Sequence, residues 1–194
     1  MTEEGSSSST SATDSPADKV LQFSEELLQK EVPCDCKDGE RVQVRVSLLL
    51  QSKTFADMWK DLNLSSKDLP DSLVFPMSTI SAPIFKKVGN WMENHVGKPQ
   101  PVIEEDPNTH ERKWFTLTDY EKEFFNVDVE ELAELLVAAN FLNLQSLYIY
   151  GCQSMAALMK EKTPEEIRNL FGIPDDLTEE EKAEIRRKNV WCNY

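Results

Sequence analysis

Two histidines and four cysteines are the only soft or near-neutral titrating side chains in this 194-residue chain. Any chemistry by nucleophile, general base or metal must therefore pass through them or through its carboxylates. His95 falls at the end of an apolar helical stripe, where an imidazole meets the negative end of the macrodipole, and His110 lies in an acidic tract. Neither has a nucleophile beside it, which argues against Ser/His or Cys/His catalysis. Cys34 and Cys36 are separated by one residue, whereas zinc ligands are usually about two to four residues apart. On a strand the two thiols share a face, and with no second pair at ligand spacing they read as packed thiols. The six glycines are scattered, so no phosphate-cradling loop is present. Glu165-Glu166 and the run Glu179 to Glu181 sit where helix starts favour negative charge, ahead of any glycosidase-like role. The expectation is a chain that is not an enzyme, with no catalytic residue, cofactor or metal.

Charge narrows the partners. With 21 basic against 35 acidic residues the net charge is −14, which repels phosphate backbones. The most basic tract, residues 41–100, carries 8 Lys/Arg against 5 Asp/Glu without a run of cations, so no nucleic-acid partner is expected. Leu135 to Met159 is a stretch of 25 residues without a charge, long enough for a bilayer of ~30 Å. Asn140, Asn143, Gln145, Ser146, Gln153 and Ser154 interrupt it, and such a polar centre is costly in hydrocarbon. It reads as two helices buried in protein, with no membrane association. Four cysteines and no charged-then-apolar leader point to a reducing interior, cytoplasmic and nuclear, without disulfides.

The elements that would position a binding surface follow from periodicity. Residues 1–17 hold six serines and three threonines with little to bury, and residues 1–31 are assigned to a disordered or unassigned tail. Within it Val20, Leu21, Phe23, Leu27 and Leu28 form a short amphipathic stretch without an evident partner. Arg41 to Val46 alternates with period two and predicts a half-buried strand, paired through the Asp38-Gly39 turn with a strand over 32–37. Pro33 should push that strand to an edge or shorten it. Phe55, Met58, Trp59 and Leu62 give a helical stripe with Thr54 as its cap, and a short strand is expected around Leu73 to Phe75. Ser81 opens a longer helix with the stripe Ile84, Phe85, Val88, Trp91 and Met92. Residues 97–118 lose all periodicity around Pro99, Pro101, Pro107 and Glu104-Glu105-Asp106, which predicts a long acidic loop, protease-sensitive and removable.

Everything beyond the loop reads as helix. Asp128 with Glu131 is a capping signature for the stripe Leu132, Leu135, Leu136 and Ala139. Thr163-Pro164-Glu165-Glu166 combines a cap, a first-turn proline and an acid at the third position, and Gly172 with Pro174 ends that helix. Thr178 with Glu181 opens another. Between them, the helix from about Leu144 to Met159 is apolar nearly all round and needs cover on more than one side. The two helices that follow are too thin in apolar groups to form a core. They either fold back on it or leave a surface, softened by Met155 and Met159, for another chain.

Lys162 to Arg168, Phe171 to Leu177 followed by Thr178-Glu179-Glu180-Glu181, and Asn189-Val190-Trp191-Cys192 resemble the carboxy-terminal signature of the SKP adaptor family. These are adaptors of SCF (cullin–F-box) ubiquitin ligases and relatives of elongin C. Ala138-Ala139-Asn140-Phe141-Leu142 resembles the family's Ala-Ala-Asn-Tyr-Leu segment, Asp38-Gly39-Glu40 its first hairpin turn, and Lys86-Lys87-Val88 with Trp91 its long third helix. The resemblance covers residues 32 to 194 and is that of a divergent paralogue. Phe141 replaces tyrosine, and Tyr148-Ile149-Tyr150 stands where the family has Leu-Leu-Asp.

The resemblance implies an α+β protein: a BTB/POZ fold over 32–160, with the acidic loop inside it, and a C-terminal two-helix extension over 161–194. It implies a non-catalytic adaptor that bridges a cullin and F-box proteins. By position, Asn140 and Phe141 would face the cullin, and Cys152, Met155, Met159, Ile167, Phe171, Ile173, Leu177 and Trp191 would line the F-box surface. Phe141, beyond a filled stripe, is expected to begin a connection and point outward. The rival reading is a BTB/POZ-type structural protein that forms a homodimer through that same surface, without a ubiquitin-ligase role.

Overall fold

The computed structural model describes residues 23–190, so Val20 and Leu21 at one end and Trp191 and Cys192 at the other lie outside the described residues. It is a mixed α/β arrangement with, among the described residues, nine helices around one three-stranded sheet. Helix α1, Glu25–Gln29, is capped by the Ser24 side chain. It supplies the stretch around Phe23 and Leu27 with its missing partner: Leu27 is fully buried, and Phe23 meets Trp59 edge to face at 5.6 Å. Leu27 thus joins the core, with Phe23 and Leu28 half-buried against it.

Strand β1, Glu31–Cys36, pairs antiparallel with β2, Arg41–Arg45, and parallel with β3, Phe75–Met77, in the order β2-β1-β3. The strand containing Pro33 is therefore central, which rules out the edge and leaves the other alternative, a shortened pairing. Cys36 donates its N–H to Glu40 O at 2.9 Å, so by alternation the missing N–H of Pro33 faces the β3 side. There the ladder begins only at Cys34 opposite Phe75, one residue later. The Asp38-Gly39 turn has Gly39 at φ +80, and Asp38 Oδ2 accepts the N–H of Ala82 at 2.9 Å. That bond caps α4, Ala82–Asn94, in place of Ser81, whose side chain makes no capping hydrogen bond. The alternation of β2 ends at Arg45, and Val46 opens the short helix α2, Val46–Leu49.

Helix α3, Lys53–Asp61, is capped by Ser52 Oγ, which accepts from Phe55 N at 3.2 Å; Thr54, the expected cap, instead donates to Phe141 O at 2.6 Å. Phe55 and Trp59 are buried, whereas Leu62 is exposed. The whole predicted stripe of α4 is buried, and Trp91 is its hub. Its ring contacts Phe124, Phe125 and Tyr150 at centroid distances of 5.0, 5.4 and 5.7 Å, and its Nε1 donates to Ser146 Oγ at 3.2 Å.

The acidic tract carries local structure. Its tip forms a bridge between Glu105 and Arg112, and its far end runs into a full capping box of Thr118 and Glu121 on α5, Asp119–Phe124. Helix α6, Val129–Leu142, is capped by Asp128 and ended by Asn143 in the left-handed region, φ 51. Helix α7, Gln145–Met159, follows. Helices α8, Pro164–Phe171, and α9, Glu179–Lys188, each carry the capping box expected of Thr163 with Glu166 and Thr178 with Glu181. Among the described helices none is long and apolar enough to cross a membrane.

Candidate functional site

Cys34, Cys36 and His95 are used for packing. Cys34 and Cys36 share the buried face of β1. Burial, with the adjacent Cys36 thiol and Asp35 carboxylate, pushes the Cys34 thiol up to about 12, a protonated and unreactive state. His95 is buried between Trp91 and Glu121, and exposed His110 meets Glu105 Oε1 at 2.9 Å. Among the described residues no group of three or more His, Cys, Asp or Glu is placed to hold a metal.

The open surfaces lie at two ends of α6 and α7. At the C-terminus of α6, Asn140 is exposed. Phe141, still helical, is half-buried against the core, so it does not begin a connection as expected. The helix extends to Leu142 because the buried hydroxyl of Ser52 donates to Leu142 O at 2.6 Å, and Thr54 does the same for Phe141 O. Two carbonyls without intrahelical partners are thereby satisfied. Asn140 and Asn143, with Gln145 and Tyr148, rim a polar hollow at the α6–α7 turn.

The second surface begins on α7. Only Leu147 and Gly151 of this helix are fully buried, so of the two alternatives, an enclosed helix or a partly open one, the structure has the open one. It is covered by α6, where Gly151 allows an approach so close that a Cβ would meet Leu136 Cδ2 at 2.8 Å, by Trp91 of α4 at Ser146 and Tyr150, and by the loop end at Phe115. Along the remaining side Cys152 and Met159 are exposed and Met155 half-buried. Beyond it, α8 touches α6, yet neither α8 nor α9 buries a single residue. Ile167 and Phe171 on α8 and Leu177 before α9 are half-buried, and Ile173 is 53% exposed. Trp191 falls outside the described residues.

Local bonds hold this sparse end in shape. Thr163 N donates to Glu166 Oε2 at 2.8 Å and Thr178 N to Glu181 Oε2 at 2.9 Å, which keeps both carboxyls below their ordinary range. Lys182 ties Asp175 in the connection to α9 at 2.5 Å, and beneath it Leu177, Pro164 and Ile185 line a cleft of about 150 Å³. Gly172 supplies the left-handed turn, φ 63, that sends the chain from α8 toward α9.

The Gln153 side chain and the aromatic end of the loop, Trp114 and Phe115, escaped sequence reasoning, since pairing a glutamine with a distant backbone leaves no periodic signal. Helix α5 could have been found from Thr118 and Glu121 alone.

A small sheet walled by helices carries an apolar face that stays open among the described residues, the arrangement of a protein-binding module. Residues 145–192 match the model of the "Skp1 family, dimerisation domain". A Skp1-related protein of Caenorhabditis elegans is 32% identical over 171 residues, covering 88% of this chain and 96% of the relative. Two proteins named E3 ubiquitin ligase complex SCF subunit sconC are also similar. That of Arthroderma benhamiae is 34% identical over 155 residues, covering 80% of this chain and 90% of its own. That of Talaromyces stipitatus is 32% identical over 162 residues, covering 84% and 96%. The chain belongs to the Skp1 family.

Proposed function

We propose that this chain is a non-catalytic adaptor of an SCF-type E3 ubiquitin ligase in the cytoplasm and nucleus, bridging a cullin scaffold and F-box substrate receptors. Residues 32–160 would form the BTB/POZ-type unit and residues 161–194 the F-box-binding helices. The observation that carries the reading is the open face of α7 and α8 with the connection after it. Cys152, Met155, Met159, Ile167, Phe171, Ile173 and Leu177 lie there with none buried, and an apolar face of that extent on ordered helices calls for a partner chain. Similarity to two SCF subunits supports the same assignment. Asn140, exposed at the end of α6, is the better probe of the cullin side, because Phe141 also serves the core.

The test is co-purification with a cullin N-terminal region and with an F-box receptor. Ile173→Asp should abolish receptor binding with little change in melting temperature, since Ile173 is mostly exposed. Asn140→Arg should abolish cullin binding and leave the receptor bound. A wild-type chain that binds neither partner defeats the proposal.

A second reading, self-association through the same face, has one observation behind it, the description of the matched domain as a dimerisation domain. Concentration-dependent dimers in ultracentrifugation that Ile173→Asp disperses, without cullin binding, would favour it.

A further inference from the structure

The loop closed on α7 leaves a cleft that the adaptor reading does not use. Gln153 Oε1 accepts the N–H of Phe115 at 2.7 Å and Gln153 Nε2 donates to Phe115 O at 2.8 Å, fixing the end of the loop along the helix. The Phe115 ring lies 5.5 Å from that of Tyr150. Upstream, Asp106 N donates to Glu111 O and Lys113 N to Glu104 O, both at 2.9 Å, so the loop doubles back as a small hairpin. Between hairpin and helix is a cleft of about 500 Å³, with Ile103 and Trp114 on one wall and Tyr148, Ile149 and Cys152 on the other. Trp114 is 55% and Tyr148 44% exposed. Bare aromatics on both walls, held by backbone bonds, make a preformed receptacle for an apolar side chain.

Two features say what enters it. Cys152 belongs both to this cleft and to the face assigned to the F-box helices, and Tyr148, Cys152, Met155 and Met159 follow one stripe of α7 at spacings of four, three and four. An occupant of one surface therefore continues directly into the other. Among the described residues the charged side chains lining the cleft are Arg112 and Lys113, with no acid, in a chain of net charge −14. They hold Glu105 and Glu104 at 3.8 and 3.0 Å in exposed pairs, which an incoming carboxylate can replace at little cost.

We propose that the cleft binds an extended segment of the receptor chain, lying outside its F-box helices, in which a bulky apolar residue stands next to a carboxylate. The proposal rests on the F-box reading of the α7–α8 face. Trp114 and Tyr148 take the apolar side chain, Arg112 and Lys113 meet the carboxylate, and receptors with such a segment bind in preference to those without it.

The test places the photo-crosslinker p-benzoylphenylalanine at position 114 or 159 of the full chain, co-expressed with a co-purifying F-box receptor, and maps the captured peptides. Both positions should capture the same receptor: 159 within its F-box helices, 114 in a different segment that contains Asp or Glu. Trp114→Ala should weaken the complex about tenfold, and Arg112→Glu with Lys113→Glu by a similar factor, without lowering the melting temperature. Capture at 159 alone, capture at 114 of the F-box helices or of a second copy of this chain, or unchanged affinity on Trp114→Ala overturns the cleft proposal and leaves the F-box reading standing. Capture of a receptor at neither position overturns both.

Discussion

His95 stacks on Trp91 with ring centroids 3.8 Å apart and planes inclined by 13°, while its Nε2 lies 3.4 Å from Glu121 Oε1. One buried carboxylate therefore joins the end of α4 to the start of α5, because Glu121 Oε2 also accepts the N–H of Thr118 at 2.7 Å. Burial pushes the Glu121 carboxyl up, but the Thr118 backbone and hydroxyl together with His95 outweigh it, and the net direction is down from the ordinary 4.5. A group depressed in the folded state contributes stability above its unfolded pKa and loses it as pH falls through the folded value. Urea midpoints should accordingly fall as the pH drops below about 4.5. Glu121→Gln should flatten that dependence and cost about 1–3 kcal/mol at pH 7. An unchanged acid limb in the variant would remove Glu121 from the account.

Replacing Gln153 by alanine releases both polar groups of Phe115 at once. Two neutral hydrogen bonds of this kind are worth about 1–3 kcal/mol together, and the effect should be concentrated in the loop. Amide exchange at residues 113–117 should accelerate far more than in α6, and limited proteolysis should cut the loop first. Deleting residues 99–111 should be tolerated, whereas a deletion running through Thr118 also removes the cap of α5 and should lower the melting temperature.

Gly151→Ala sets two effects against each other. Alanine is favoured over glycine within a helix by about 1 kcal/mol. Its Cβ, however, would lie 2.8 Å from Leu136 Cδ2 and 3.6 Å from the Phe125 ring, and overpacking typically costs about 1–3 kcal/mol. Net destabilisation is expected from urea unfolding, with recovery in the double variant Gly151→Ala, Leu136→Ala if the clash is the cause.

At the end of α6, adjacent residues should behave oppositely. Phe141→Ala removes a half-buried ring and should cost about 1–3 kcal/mol. Asn140→Arg should stay within about 0.5 kcal/mol of the parent. Calorimetry on the two variants separates the packing contribution of this turn from its binding contribution.

The helices were legible wherever a cap and a stripe agreed. Thr163 with Glu166, Thr178 with Glu181, and Asp128 before Leu132 marked helix starts from local chemistry alone, and the structure places them there. What failed depended on distant neighbours. Ser52 and Thr54 are equivalent hydroxyls in the sequence, and only the arrival of α6 assigns one to the cap and the other to Phe141. Pro33 is harmless in a central strand only because β3 is so short. Ser81 yields to Asp38, which lies 43 positions earlier and comes close through the sheet turn. At the candidate site the apolar residues of α7 and α8 were visible, but whether they were covered was not. A helix that is apolar nearly all round predicts cover on several sides, and α7 has it from α4, α6 and the loop end, yet Cys152 and Met159 stay exposed.

The two hydroxyl bonds from Ser52 and Thr54 to the last carbonyls of α6 also set where a mechanical load goes. A chain pulling on the exposed turn around Asn140 pulls along the axis of α6, and its terminal carbonyls are anchored in the first turn of α3. Further along α3 stand Phe55 and then Trp59, both fully buried and in ring contact with each other. Force applied there passes through two short hydrogen bonds to a helix whose Phe55 and Trp59 are fully buried. A scaffold attached at this turn would load the core directly, while α8, which buries no residue, would follow only through its contact with α6.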